Sequence, residues 1–209
     1  MKESFQRAEN VILNEKVWQQ SGRDRVLQEA SVSQHWTESE AEMKTIYLAG
    51  GCFWGTQKFF DQFDGVVGTE VGYANGPTDN PSYQEVCANS GHAETVKVVY
   101  DDRGVNLEKL LEYYFMTIDP LAYHRQGADK GVQYRTGIYY SDEADLPVLK
   151  ACYAKEQEKY KRKMEVELLP LENFYPAEEY HQKYLEKNPG GYCHIPGTLF
   201  ELNRKETDE

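Results

Sequence analysis

The chain has 209 residues, of which 40% are hydrophobic and 28% charged, with a formal net charge of −12. That length suits one globular domain with an appendage, and its core needs no disulfide or metal staple. The acidic balance repels phosphate backbones and anionic bilayers, which argues against nucleic-acid and membrane binding.

Residues 1–43 read as a polar extension in which acidic side chains outnumber basic ones, a composition that favours disorder. Two of the three tryptophans, Trp18 and Trp36, lie in it. The expectation is an extension partly disordered and partly docked, followed by a domain over 44–209. The N-terminus lacks the continuous apolar stretch of a signal peptide, and no run approaches the roughly 18 apolar residues of a membrane span. A cytoplasmic location is expected.

From Thr45 the pattern is regular. "TIYLAG" predicts a short buried strand ending in glycines. "CFWGTQKFFDQF" places Cys52, Thr56, Phe59, Phe60 and Phe63 at helical spacing. "VVGTEVGYA" predicts a strand, "NGPTDNPSY" a loop, and Ala93 to Tyr100 an alternating strand. "NLEKLLEYYFMTI" predicts a helix with Asn106 as N-cap and Leu107, Leu110, Leu111, Tyr114, Phe115 and Ile118 on its inner face. "RQGADKGVQYR" reads as a long polar loop and "TGIYY" as a strand. A helix is expected from Pro147 to Met164, then a strand at "VELLPL", then a helix through "AEEYHQKYLEKN". This alternation fits an α/β or α+β domain built on one sheet.

The four cysteines, Cys52, Cys87, Cys152 and Cys193, form no CxxC pair, so neither a zinc site nor a disulfide scaffold is supported. Cys52, in "GGCFWG", stands where a strand becomes a helix. The unpaired amides of a helix N-terminus favour a thiolate and lower a cysteine pKa. Gly50 and Gly51 leave the backbone open to close approach. Phe53 and Trp54 cannot both share the inner face of Cys52, so at least one aromatic lines the entrance of a pocket beside the sulfur. The competing expectation is a small core cysteine. Cys152 lies on an apolar helical stripe and is expected in the core, and Cys87 is expected buried beside the site.

In "SGHAETVKVVY", Glu94 shares a strand face with Val96, Val98 and Tyr100. Desolvation there would raise its pKa and keep it protonated, as a general acid requires. A carboxylate at a strand end with its head in water fits the segment equally. His92 and His181 read as structural histidines. His124 and His194 flank loops, and the sequence gives them no role.

"GGCFWG", "SYQEVC", "GHAE", "RQGADKGVQYR" and "AEEYHQKYLEKNPGGYC" occur in this order. Together they resemble the methionine sulfoxide reductase A family, the peptide-methionine (S)-S-oxide reductases, over residues 45–195. The resemblance implies an α+β fold: a single mixed-sheet domain with flanking helices and a ferredoxin-like βαβ-plait core. It implies Cys52 as nucleophile, Glu94 as acid and Cys193 as resolving cysteine on a mobile C-terminal tail. It implies a methyl seat of Phe53 and Trp54, with Tyr83, Tyr134 and Asp129 around the sulfoxide oxygen. The activity implied is repair of oxidised proteins or reduction of free methionine sulfoxide, by a monomer needing no metal or organic cofactor. Thioredoxin is the implied reductant. Many family members carry another cysteine beyond the "GYC" one. Here "HIPGTLFELNRKETDE" has none, which favours a direct Cys52–Cys193 bond. A cysteine hydrolase pairing Cys52 with His92 or His181 and a non-enzymatic thiol sensor are the rival readings.

Overall fold

The computed structural model describes residues 43–202. The extension, with Trp18, Trp36 and His35, lies outside them except for Met43, as does the end of the tail. In chain order the elements are β1 (Met43–Gly50), α1 (Phe53–Phe60), β2 (Val66–Ala74), α2 (Tyr83–Cys87), β3 (Ala93–Asp101), α3 (Leu107–Thr117), β4 (Arg125–Gln126) and β5 (Asp129–Lys130), then β6 (Thr136–Tyr140), α4 (Leu146–Gln157), β7 (Glu167–Pro170), β8 (Phe174–Pro176) and α5 (Tyr184–Lys187).

Six strands form one sheet in the order β7-β6-β1-β3-β2-β8, and β4 pairs only with β5. Neighbours are antiparallel except β6 and β7, which run parallel, so the sheet is mixed. This is the α+β architecture, a mixed sheet with flanking helices, that the family resemblance implied.

The two-residue period of a strand sorts β3 into faces. Val96, Val98 and Tyr100 are fully buried with Phe53, Phe59 and Phe60 of α1 and Leu110, Leu111 and Tyr114 of α3. Glu94 follows the same phase and enters that apolar layer at the end nearest α1. Asn106 caps α3 as expected, its side chain accepting from the Lys109 amide at 2.8 Å. Further along α3, the Tyr114 hydroxyl donates to the Ala49 carbonyl at 2.7 Å, fixing the end of β1 just before Cys52.

Four local expectations are corrected. The helix expected to Met164 ends at Gln157, whose side chain bonds to the Tyr160 and Arg162 carbonyls and the Met164 amide, holding the chain in a turn. In the segment expected to be helical from Ala177, only Tyr184–Lys187 is. Gln182 ties that stretch to both backbone groups of Val71, and Lys183 takes a left-handed φ of 52°. α2 was not foreseen; Ser82 and Glu85 start it with a reciprocal capping box. The polar loop at 125–135 contains the β4–β5 hairpin and a 3-10 turn at Val132–Tyr134.

Candidate active site

Cys52 is the N-cap residue of α1 and is 7% exposed. Gly51 before it has a φ of +81°, and a β-carbon there would lie 2.6 Å from the Gln126 side chain and 3.3 Å from His194. At Gly55, one turn later, a β-carbon would lie 2.7 Å from Cys193 Sγ. The bare backbone around Cys52 therefore admits the chain's own loop and tail.

The helix N-terminus does not make Cys52 acidic. Burial pushes its thiol well above the ordinary range, and the Glu94 carboxyl raises it further; only the Trp54 amide pulls the other way. The expectation of a lowered pKa is corrected for that reason: desolvation of a thiolate outweighs one helix end. Nor is the thiol openly accessible, as the sequence suggested.

Glu94 is 1% exposed, and its Oε2 accepts the Phe53 amide proton at 3.1 Å. Burial drives its pKa up to about 8, against the pull of that amide. The alternative of a carboxylate with its head in water is thereby removed. The acid supplies the first free amide of α1 with an acceptor, and the same contact holds it beside Cys52.

Phe53 is buried, packed on Tyr73 and His181 with centroids 5.9 and 5.2 Å away. Trp54 is half-buried and stacks on Tyr184 at 3.8 Å. Its Nε1 donates to His181 Nδ1 at 3.0 Å. Tyr83 meets the edge of the same imidazole at 4.5 Å, and its amide donates to Glu178 Oε1 at 2.9 Å. Tyr73 donates to the other oxygen of Glu178 at 2.8 Å.

Burial raises the Tyr83 and Tyr134 hydroxyls well above their usual range, with Glu94 a further cause for both. Asp129 and Cys52 also act on Tyr134. Asp129 Oδ2 is buried without a hydrogen-bond partner among the described residues. Its charge reaches Cys52, Glu94 and Cys193 as well. The structure thus gathers all eight residues singled out in the sequence: Cys52, Phe53, Trp54, Tyr83, Glu94, Asp129, Tyr134 and Cys193.

Two cysteines are placed otherwise than expected. Cys87 is exposed rather than buried, because it ends α2 on its solvent side, although it does lie beside Tyr83. Cys152 is half-buried rather than in the core. It lines a 580 Å³ groove between α3 and α4 with Phe115, Met116 and Tyr160, none of them part of the candidate site.

Of the two histidines expected to be structural, His92 has partners at both nitrogens, whereas His181 Nε2 is buried without a hydrogen-bond partner among the described residues. His92 is fully buried, with its nitrogens 3.0 Å from Ser90 Oγ and 2.9 Å from the Thr78 carbonyl. His181 Nδ1 is taken by Trp54. Neither forms a pair with Cys52, so the cysteine-hydrolase reading loses its base. The sequence reading missed Tyr192 and His194, which flank Cys193. The Tyr192 hydroxyl faces Asp129, and His194 lies on Gly51 and Gly127. Adjacency to Cys193 was the one signal available for them.

The family model described as "Peptide methionine sulfoxide reductase" matches residues 44–208. A peptide methionine sulfoxide reductase MsrA of Clostridium acetobutylicum is 56% identical over 160 residues, covering 76% of this chain and 99% of that protein. The Lachnoclostridium phytofermentans protein of the same name is 56% identical over 159 residues, covering 76% and 96%. Among solved structures, Mxr1 from Saccharomyces cerevisiae in reduced form matches with a TM-score of 0.70 and 40% identity, covering 74% of this chain and 92% of that one. Methionine sulfoxide reductase A of Corynebacterium diphtheriae matches with a TM-score of 0.68 and 37% identity, covering 74% and 83%. On the family model and these identities, the chain belongs to the peptide methionine sulfoxide reductase A family.

Proposed function

We propose that this protein reduces the S diastereomer of methionine sulfoxide, in proteins or free, through a sulfenic acid on Cys52 and a Cys52–Cys193 disulfide. The observation that carries the reading is the Glu94 carboxyl buried beside a buried thiol, where burial raises its pKa to about 8 and favours the protonated form. The choice of diastereomer follows from family membership.

The substrate sulfoxide sits with its methyl against Phe53 and Trp54 and its oxygen toward Glu94, Tyr83 and Tyr134. Oε2 of Glu94 accepts from Phe53, which leaves Oε1 to carry the acidic proton. Tyr83 and Tyr134, kept neutral by burial, donate hydrogen bonds to the same oxygen. As that oxygen takes the Glu94 proton, the sulfoxide sulfur becomes electrophilic. Cys52 Sγ attacks it, and the thiol proton passes to Glu94. The oxygen moves to Cys52, methionine leaves as the thioether, and Cys52 becomes a sulfenic acid.

Cys193 then attacks Cys52 Sγ. The sulfur–sulfur bond forms, the sulfur–oxygen bond breaks, and the oxygen leaves as water. An external dithiol, in our reading thioredoxin, restores both thiols by exchange and is itself oxidised to a disulfide. Cys193 is half-buried where Cys52 is buried, so exchange begins at Cys193. Leaving the Gly55 contact to meet a partner requires the tail after Asn188, Pro189, Gly190 and Gly191 to move.

The test is incubation with each diastereomer of a methionine sulfoxide peptide and a dithiol. Loss of one oxygen by mass from the S form alone is expected. Consumption of both forms, or of neither, would overturn the reading.

A further inference from the structure

The tail brings more than a thiol to Cys52. The consecutive residues Tyr192, Cys193 and His194 all meet the frame of the site. The Tyr192 hydroxyl lies over Gly127 and faces Asp129. A β-carbon at Gly55 would meet Cys193 Sγ at 2.7 Å, one at Gly51 would meet the His194 ring at Cε1 at 3.3 Å, and one at Gly127 would meet the His194 Cβ at 3.2 Å. Gly51 immediately precedes Cys52 and Gly55 stands one helical turn after it. Imidazole and thiol therefore approach the backbone just before Cys52 and one helical turn after it.

Both ring nitrogens of His194 are buried and have no hydrogen-bond partner among the described residues. The Gly50 backbone favours a proton on the ring, although no contact between them meets hydrogen-bond geometry. Across the site, Asp129 Oδ2 is unpartnered as well. Buried polar groups left unpaired are costly, and a catalytic role is one reason a native protein keeps them. Burial holds the imidazole below its ordinary pKa and so neutral, while the Asp129 carboxylate favours a transient positive charge on it. A neutral imidazole can accept a proton at one nitrogen and release a proton from the other.

We propose that His194 is a catalytic residue of the second step, relaying the Cys193 thiol proton to the oxygen departing from Cys52. The proposal rests on the reading of Cys52 and Cys193 given above. One nitrogen takes the proton from Cys193 Sγ as the sulfur–sulfur bond forms. The other gives its proton to the oxygen as the sulfur–oxygen bond breaks. Water leaves, and the imidazole ends neutral in the opposite tautomer. No further oxidant or reductant enters. Cys193, itself pushed up by burial, is thereby spared from ionising before it attacks.

The experiment uses the full chain carrying Cys87→Ser, so that the exposed thiol does not interfere, with and without His194→Gln. His194→Asn serves as a second variant of different shape. In one arm the reduced protein meets a methionine sulfoxide peptide without reductant, and methionine release and disulfide formation are followed separately. In the other arm one equivalent of hydrogen peroxide generates the Cys52 sulfenic acid directly. The expected result is disulfide formation at least about 10-fold slower in both arms, within the usual range for a lost proton carrier. A dimedone-trappable sulfenic acid should accumulate, and imidazole added to the buffer should restore part of the rate. Disulfide formation at the parent rate in both variants overturns the proposal. So does a parallel loss of the methionine burst without imidazole rescue, which would mean that the ring only shapes the site. If the parent releases no methionine yet closes its disulfide after peroxide, the sulfoxide reading fails, and the peroxide arm alone decides the role of His194.

Discussion

The carboxyl of Glu94 and the backbone of Phe53 are joined by one hydrogen bond, Phe53 N donating to Glu94 Oε2 at 3.1 Å. Through it the acid is registered to the helix whose N-cap is Cys52. Strand β3 supplies the acid, α1 supplies the thiol, and a single amide aligns them. The contact engages Oε2 and leaves Oε1 outside it.

Glu94→Gln keeps an acceptor for Phe53 but has no proton to give. The methionine burst should fall by about 10²–10⁴-fold, the usual range for general acid catalysis. The parent burst should decline above about pH 8, where Glu94 ionises, whereas the burst of the variant should not share that decline. The gap between them therefore narrows at high pH. Rapid-quench measurements from pH 6 to pH 10 check this, and an unchanged burst would make Glu94 structural.

The same substitution has a stability signature. The folded pKa of about 8 lies above the ordinary 4.5. Between these values the folded chain holds a proton that the unfolded chain has released, so rising pH destabilises the parent until both have lost it. Relative to the parent, Glu94→Gln should gain stability as pH rises through that window and gain nothing beyond it. Denaturant melts at pH 5 and pH 9 provide the comparison.

Gly55→Ala tests the seating of the tail. Its methyl would stand 2.7 Å from Cys193 Sγ, so the thiol must give way. The helix itself should gain up to about 1 kcal/mol, since alanine is the better helix former. Methionine release should persist while disulfide closure slows. A variant that closes its disulfide as fast as the parent would show that Cys193 attacks from elsewhere.

Cys193→Ser should release one methionine per chain and then stall with thioredoxin, with partial rescue by a small dithiol. The unmutated protein, oxidised without reductant, should map to a Cys52–Cys193 bridge. A bridge from Cys52 to Cys87 would assign resolution to the exposed thiol of α2.

Thiol accessibility gives an independent check. In the reduced protein, a mild alkylating agent should label Cys87 first and Cys52 last, in the order of their exposure. Mass mapping over a time course reads that order. Early labelling of Cys52 would mean that its sulfur is more open and more ionised than its burial and raised pKa imply.

β1, β2, β3, β6 and β7 were legible as apolar runs or alternations bounded by turn residues, and α1 and α3 by apolar residues about 3.6 apart, whereas β4, β5 and β8 were not. The site residues were legible through motifs, since "GGCFWG" and "GHAE" are continuous in the chain. The end of α4 and the loss of helix after Ala177 were not legible. They depend on Gln157 and Gln182, whose side chains compete for backbone groups close in space but not in periodic pattern. Local sequence also misjudged Cys52. It sees a helix N-terminus, which favours a thiolate, but not the aromatic layer and the carboxyl that bury the sulfur and reverse the shift. Glu94 went the other way. Its strand phase left two readings open, and only packing under α1 removed its water and raised its pKa to about 8. The unpaired nitrogens of His194 exist only because the tail folds back on Gly51 and Gly127. What the sequence by itself determined is the reactive types and their order along the chain. The protonation of each group and the face it turns to its neighbours were decided by tertiary structure, because desolvation and hydrogen-bond pairing are set by atoms distant in sequence.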